Sequence, residues 1–302
     1  MQISVIIPTC GRTRELTLCL EGLKRQTLKP REIIIVNDSC AGAPNKLQGI
    51  KVIRTPGRIG PGMAKNAGAR IARGEVLAFL DDDCVPSPHW LAEIVKPFKN
   101  REIAVVAGKI VEKRLRNKQG TFSDIILNLP FYPFYLLCRK RAGGTIYFNG
   151  RVDARLSLST QGFCDWGGAG NLAVRSSYFE KVGGFEKNFL PGPNLEEPDL
   201  CFRIKQIGGK VFYNGQAFVV HSYSPGGRLA PLEAVKNLKA NEVYFGLKNI
   251  AFQNIFTFVA FFACQAWQIF IYSLLTLIER EYWQRVRGKF KGFARYKRVS
   301  GS

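Results

Sequence analysis

The 302-residue sequence predicts an α/β protein, a mostly parallel sheet flanked by helices. Two observations carry this. Short apolar runs alternate with stretches of helical spacing through the first third of the chain, as in βαβ units. Acidic or polar residues collect where those runs end, which is where ligands bind in such sheets. A third observation narrows it: no G-x-G-x-x-G follows the first strand, which argues against a dinucleotide-binding dehydrogenase.

The elements follow in order. Ile3–Ile7 is an apolar strand ending at Pro8-Thr9. Arg14–Gln26 places Leu16, Leu20 and Leu23 on one helical face. Ile33–Val36 is a second strand, followed by Asn37-Asp38-Ser39, and Val52-Ile53 is a short third. Gly62–Ala72 is an alanine-rich helix ended by Gly74, and Val76–Leu80 is a fourth strand. Trp90–Phe98 is expected as helix and Ile103–Val106 as strand. Pro8-Thr9, Asp38 and Asp81–Asp83 then share one crevice at the strand ends.

The triplet Asp81-Asp82-Asp83 is the most informative motif. The chain carries 44 Lys+Arg against 23 Asp+Glu, a net charge of +21, yet three acids stand together after a buried strand. Adjacent carboxylates repel unless a cation lies between them. Hard oxygen ligands suit Mg²⁺ or Mn²⁺, and such a metal usually holds a substrate phosphate. A solvated turn or a helix cap ahead of Pro88 is the structural alternative.

Composition bounds the rest. Apolar residues make up 46%, enough for a sizeable core, and the excess of basic charge implies an anionic partner. Eight cysteines without a C-x-x-C pair signal neither a zinc site nor a disulfide framework. The opening MQISVIIPT has the pattern of a strand, not of a signal peptide. These features place the protein on the cytosolic side of a cell.

The second half contains a second acidic cluster. DWGGAGNLAVR begins at Asp165 and brings Trp166, Gly167, Gly168 and Asn171 into a loop whose glycines admit close backbone approach. Glu196, Glu197 and Asp199 precede an amphipathic stretch with Leu200, Ile204 and Ile207. Helix capping explains one such acid, not three. Strand Phe218–Val220 ends at His221, either a structural histidine or a metal ligand.

Taken together, these ordered motifs resemble the family 2 inverting glycosyltransferases, which have the nucleotide-diphospho-sugar-binding GT-A fold. VIIPTCGR, EIIIVNDSC, the block GPGMAKNAGARIARGEVLAFLDDDCVP, then GGAGNLAVR, VGGFEKNF and EEPDLCFRIKQIGGKVFY carry the resemblance, over roughly Met1 to Tyr223. It implies a sugar transferred from a nucleotide-diphosphate donor, with Mg²⁺ or Mn²⁺, to a saccharide or lipid-linked acceptor. Pro8, Thr9, Arg12, Asp38, Lys65, Asn66, Asp81 and Asp82 would bind the donor, with Asp38 at the nucleobase or ribose. Asp83, Asp81 and His221 would hold the metal, and Asp82 takes the variable, solvated place. Glu197 would be the catalytic base. Trp166, Gly167, Gly168, Asn171, Glu196 and Asp199 would face the acceptor. Two departures stand out: Glu replaces the usual Asp at the base, and Lys65 replaces the usual Arg, a point charge for a bidentate fork.

Residues 1–228 are expected as the catalytic domain, with an apolar insertion at about 114–150, and 229–302 as a helical membrane-associated region with a basic tail. Ile255–Ile278 carries no charge and, at about 1.5 Å per residue, is long enough to cross a bilayer. However, Gln265, Gln268, Tyr272 and Thr276 form a polar stripe that fits docking on protein. The following cluster Arg280, Arg285, Arg287, Lys289, Lys291, Arg295, Lys297 and Arg298 favours a helix lying in the membrane plane on the cytoplasmic face over a single span. The segment Ile125–Cys138, followed by Arg139-Lys140-Arg141, is expected either at the membrane, meeting a polyprenyl-linked acceptor, or as a proline-bent core helix. Membrane contact is thus expected through 125–141 and 255–298, nucleic-acid binding is not, and a homo-oligomer is left open. A polyprenyl-phosphate sugar synthase of the same fold, a nucleotidyltransferase, a non-catalytic scaffold and a basic nucleic-acid- or membrane-binding protein are the competing functions.

Overall fold

The computed structural model describes residues 1–38, 47–112, 126–127, 129–131, 142–192, 195–222 and 229–301. The elements run β1 (Ile3–Thr9), α1 (Thr13–Lys24), β2 (Glu32–Asn37), β3 (Lys51–Arg54), α2 (Pro61–Ile71), β4 (Val76–Leu80), β5 (Cys84–Pro86), α3 (Trp90–Val95) and β6 (Ile103–Glu112). After the hairpin β7 (Gly143–Ile146) and β8 (Val152–Arg155) come β9 (Gln161–Phe163), β10 (Asn171–Arg175), α4 (Ser176–Lys181), α5 (Glu196–Gln206) and β11 (Lys210–His221). Three helices follow: α6 (Pro231–Gly246), which runs into a π-turn at Leu247–Ala251, α7 (Ile255–Thr276) and α8 (Tyr282–Ser300).

Among the described residues the main sheet has the order β3-β2-β1-β4-β10-β6-β11-β5, with β9 also on β11. Strict alternation along buried strands feeds two cores, one on each face. Ile3, Val5, Ile7, Val76, Ala78 and Leu80 pack under α1 and α3, while Ile6, Ile34, Val36, Leu77 and Phe79 pack under α2 and α5. The sheet is mostly parallel, as expected, with antiparallel members: β1, β2, β3, β4, β6 and β11 share one direction and β5, β9 and β10 oppose it. β3, β2, β1 and β4 are parallel, as are β6 and β11, but β10 is antiparallel to both β4 and β6. β10 arrives from a loop after β9 instead of a crossover helix, so nothing imposes the parallel direction on it. β5 and β9 are antiparallel to β11 as well. β11 itself is much longer than the Phe218–Val220 strand expected.

The C-terminal helices are fixed to this body. Phe189 and Leu195 pack with Tyr244, Phe245 and Ile250 in one apolar cluster. α8 lies against α6 where Gly288 and Gly292 let backbone meet the Lys236 and Ala240 carbonyls, leaving no room for a side chain. The polar stripe of α7 faces protein as expected: Lys289 of α8 donates to Gln265 Oε1 and Gln268 Oε1, both at 2.7 Å. α7 is long and apolar enough to cross a membrane, yet only 33% of its most apolar window is buried. Its outward face carries Ile255 (77% exposed), Phe256 (60%), Val259, Phe270 and Leu274. Ile126 and Leu127 dock beside it: Trp267 Nε1 donates to the Ile126 carbonyl, and Leu127 packs on Ile271, Tyr272 and Val286. Phe131 reaches the same region through Phe148, which contacts Phe256. The rest of the aromatic segment, including Tyr132, Phe134 and Tyr135 with Arg139–Arg141, lies outside the described residues. The basic tail does not all face outward. Lys289 is buried, Arg285 lies over the rings of Tyr272 and Tyr282, and Arg295 donates to the Asn188 carbonyl, whereas Arg280, Arg287, Lys297 and Arg298 are exposed.

Candidate active site

The strand ends meet in a cleft of about 340 Å³ lined by Pro8, Thr9, Arg12, Asp38, Asp81, Asp83 and His221, with Arg58 and Gly60 from the loop before α2. β1, β2 and β4 are adjacent and parallel, so Thr9, Asp38 and the triplet emerge side by side. His221 comes from the far side. β5 runs back antiparallel to β11, pairing Cys84 with His221, and Ser222 N donates to the Asp83 carbonyl. That puts His221 Nε2 3.3 Å from Asp83 Oδ1.

The three aspartates have three environments. Asp82 is fully buried, which corrects the expectation that its variable position is solvated. Thr9 Oγ1 donates to its Oδ2 at 2.7 Å and Arg12 Nε at 3.1 Å, while Arg12 Nη2 lies 2.5 Å from Oδ1 as an ion pair without hydrogen-bond alignment. Burial raises its pKa to about 6 against the pull of Arg12. Asp83 takes Arg12 Nη1 at 2.7 Å on one oxygen and His221 on the other. Asp81 is the most exposed of the three and pairs with Lys65 Nζ at 2.9 Å.

A divalent cation fits here. Asp83, His221 and the Cys84 sulfur have ligand atoms within 4.8 Å of one another. Burial pushes the Cys84 thiol well up, and neighbouring Asp81 and Asp83 push it further, so it is not a thiolate. A carboxylate and an imidazole remain, a donor pair suited to Mn²⁺ or Mg²⁺.

Lys65 connects this cleft to Glu197, the residue expected as the base. It is buried on α2, and the charges of Asp81, Glu197 and Glu196 outweigh the burial that would otherwise lower its pKa. Glu197 is raised by burial and by Asp81, while Lys65 and a hydrogen bond from the backbone at Ala169 act the other way. Glu196 packs against Gly62, where a side chain would overlap its carboxylate. Burial and the charge of Glu197 raise its pKa to about 8, so it is protonated at neutral pH.

Several expected ligands have other partners. Asp38 accepts from Ile59 N, Gly60 N and Thr55 Oγ1, so it moulds the 55–60 loop from beneath the cleft. Asn66 exchanges two 2.8 Å hydrogen bonds with the Phe185 backbone, pinning the VGGF turn to α2. Asn171, placed by sequence at the acceptor, is fully buried: it accepts from Trp90 Nε1 and donates to the carbonyls of Lys109 and Ala217. Asp199 is also fully buried, bound by Arg203 Nε, Lys248 Nζ and Asn249 Nδ2. Trp166 donates to the Asp153 carbonyl, and Gly167 lies so close to Ala107 that no side chain fits. Gly168 faces Leu156 and Ile110. Arg58 was missed; its only signal is a basic residue set among glycines in TPGRIGPG.

A model of glycosyl transferase family 2 matches residues 4–152, the stretch that holds the triplet and its supports. The chain belongs to glycosyl transferase family 2. Its mixed sheet and acidic strand ends are those of the GT-A fold. The chain is 26% identical over 235 residues to the pre-mycofactocin glycosyltransferase of Mycobacterium tuberculosis, matching 73% of itself and 43% of that protein. It is 26% identical over 238 residues to the glucosyl-dolichyl phosphate glucuronosyltransferase of Haloferax volcanii, matching 73% of itself and 69% of that protein. The chain therefore spans less than half the length of the first relative. The mannosyltransferase PcManGT of Pyrobaculum calidifontis, solved with GDP-Man and Mn²⁺, superposes with a TM-score of 0.54 at 14% identity, over 100% of this chain and 88% of its own. At that identity the likeness is one of fold. This family 2 chain thus has its acidic cleft, its bridging lysine and its carboxylate pair on one GT-A edge.

Proposed function

We propose that the chain transfers a sugar from a nucleotide-diphosphate donor to a hydroxyl of a saccharide or lipid-linked saccharide, with inversion at the anomeric carbon, on the cytoplasmic face of a membrane. The observation that carries it is the run Asp83–Asp81–Lys65–Glu197, which sets a metal-competent cleft beside a half-buried carboxylate.

Asp83 and His221, with Asp81 beside them, are the residues that would hold Mg²⁺ or Mn²⁺. When bound, that ion neutralises charge developing on the leaving diphosphate. Thr9, Arg12 and the loop held by Asp38 shape the donor side, and Arg58 supplies a further cation there. Glu197 takes the proton from the acceptor hydroxyl as its oxygen bonds to the anomeric carbon and the bond to the diphosphate oxygen breaks. Burial raises its pKa, which makes the carboxylate a stronger proton acceptor. Glu196, neutral beside it, adds no second charge.

The membrane part is supported by the outward face of α7 and by the exposed Arg280, Arg287, Lys297 and Arg298. The Gln265–Gln268–Lys289 contact is held in protein between α7 and α8. An in-plane helix keeps that contact on protein and gives the apolar face to lipid.

Replacing Glu197 with Gln keeps shape and removes the base. Transfer should fall by about 10²–10⁴-fold, while nucleotide-sugar affinity changes less than threefold. NMR of the product anomer tests inversion. Full transfer by Glu197→Gln would mean an acceptor that needs no base, such as a polyprenyl phosphate, and would remove the assignment.

A further inference from the structure

Between the β7–β8 hairpin and the C-terminal helices is a cavity of about 310 Å³ that the sugar-transfer chemistry does not use. Arg151 and Asp153 line it from β8 and its approach, Lys239 and Glu242 from α6, Gln268 from α7 and Lys289 from α8. Its charges do not balance. Lys239 Nζ is 2.6 Å from one Glu242 oxygen and Lys289 Nζ 3.3 Å from the other, so one carboxylate serves two ammonium groups. Arg151 and Asp153 satisfy each other through two 3.0 Å hydrogen bonds. Among the described residues that line it, three cations therefore face two carboxylates, and Arg285 lies over the ring of the lining Tyr272.

Lys289 is only 1% exposed. Its ammonium donates to Gln265, Gln268 and Glu242, but that carboxylate is shared with Lys239. The side-chain carbonyls of Gln265 and Gln268 supply dipoles to it and no charge. The group that complements this lining is an anion, and the cavity is larger than a tetrahedral oxyanion.

Position narrows the anion's source. Leu195, which lines the cavity, directly precedes Glu196 and Glu197. The Asp153 carbonyl accepts from Trp166, on the loop leading to Ala169 at the base. The opposite wall is α7, whose other face is apolar and exposed. An anion here lies between the lipid-facing helix and the base, where the phosphate of an amphiphilic acceptor falls if its saccharide reaches Glu197. We propose that this cavity is a phosphate subsite for a membrane-anchored acceptor, with Lys239 and Lys289 as its charged ligands. This rests on the membrane-surface glycosyltransferase reading above.

The test uses the full chain and cosedimentation with vesicles of phosphatidylcholine, alone or doped with polyprenyl phosphate. Doping should strengthen wild-type binding about tenfold. Lys289→Met and Lys239→Met should each lose most of that gain, while Lys297→Met, which removes the same charge from the exposed tail, should keep it within twofold. Lys239→Met carries the comparison if Lys289→Met does not fold. An equal gain in both cavity variants and the wild type, or an equal loss in Lys297→Met, overturns the proposal. Inorganic pyrophosphate separates the sources. A rise in melting temperature that Lys289→Met abolishes shows that the subsite takes the free anion too. No rise, beside a vesicle response, assigns it to the anchored phosphate. Neither readout involves the donor, so failure here is separable from failure of sugar transfer, which nucleotide-sugar hydrolysis reports.

Discussion

Asp82 and Asp83 are neighbours in sequence, yet one is sealed under Thr9 and Arg12 and the other faces His221 in the cleft. Sequence order identified the triplet and set Asp83 apart as the expected metal ligand, and the structure places it beside His221. Sequence order could not place Asp82, whose partners are about seventy residues away and converge only because β1 and β4 are paired. Asn171 shows the same limit more sharply. A polar residue after a glycine loop resembles a ligand in sequence, but here its amide ties β10 to β6, β11 and Trp90. Asn171→Ala removes this partner from two buried groups, Trp90 Nε1 and the Ala217 carbonyl, each worth about 1–3 kcal/mol, and from the part-buried Lys109 carbonyl. We expect a loss of about 3 kcal/mol or more in chemical denaturation. A change under about 0.5 kcal/mol, the range of ordinary surface substitutions, would show that the amide is not the tie described.

At the scale of elements, the early strands and helices were legible because apolar periodicity is local. β4 matched its expected bounds, and α1, α2 and α3 shifted by a few residues. The direction of β10 and the length of β11 were not legible, since both are decided by pairing across the sheet. The C-terminal helices were half legible: the stripe of glutamines showed that α7 has a protein-facing side, but not that a buried lysine waits there. Their packing has a pH signature. Burial alone would raise the Glu242 carboxyl, but Lys239 and Lys289 outweigh it and hold it at about 2, from an ordinary 4.5. A carboxyl depressed in the folded state stabilises above its unfolded pKa, and that stabilisation is lost as pH falls. Between about pH 4.5 and 2 the wild type should lose up to about 3 kcal/mol from this group, taking about 1.4 kcal/mol per pKa unit. Glu242→Gln should be the less stable protein at pH 7, with the gap closing toward pH 2. Thermal melts of both across that range measure it; parallel curves would remove Glu242 from the account.

At the scale of the whole molecule, the exposed apolar face of α7 continues toward Leu129 and Phe131 through the contact of Phe148 with Phe256. The two apolar segments read separately in the sequence thus meet in one surface. Because Ile255, Phe256 and Val259 are already exposed to water, changing all three to Ser should leave the melting temperature within a few degrees. Flotation with vesicles should fall at least tenfold. Undiminished flotation would assign the membrane contact elsewhere.

Asp199, two residues beyond the proposed base, is bound by Lys248 and Asn249, and these lie on the π-turn from which the chain enters α7. Arg203 on the same helix grips the carbonyls of Val182 and Gly184. α5 is therefore lashed through Asp199 to the turn that leads into α7 and through Arg203 to the turn after α4. With α7 in lipid, as proposed, this lashing would make the protein a gauge: the height of Glu197 above the bilayer would be built into the fold. Acceptors would then be sorted by how far their reacting hydroxyl stands from the lipid as well as by which sugar bears it.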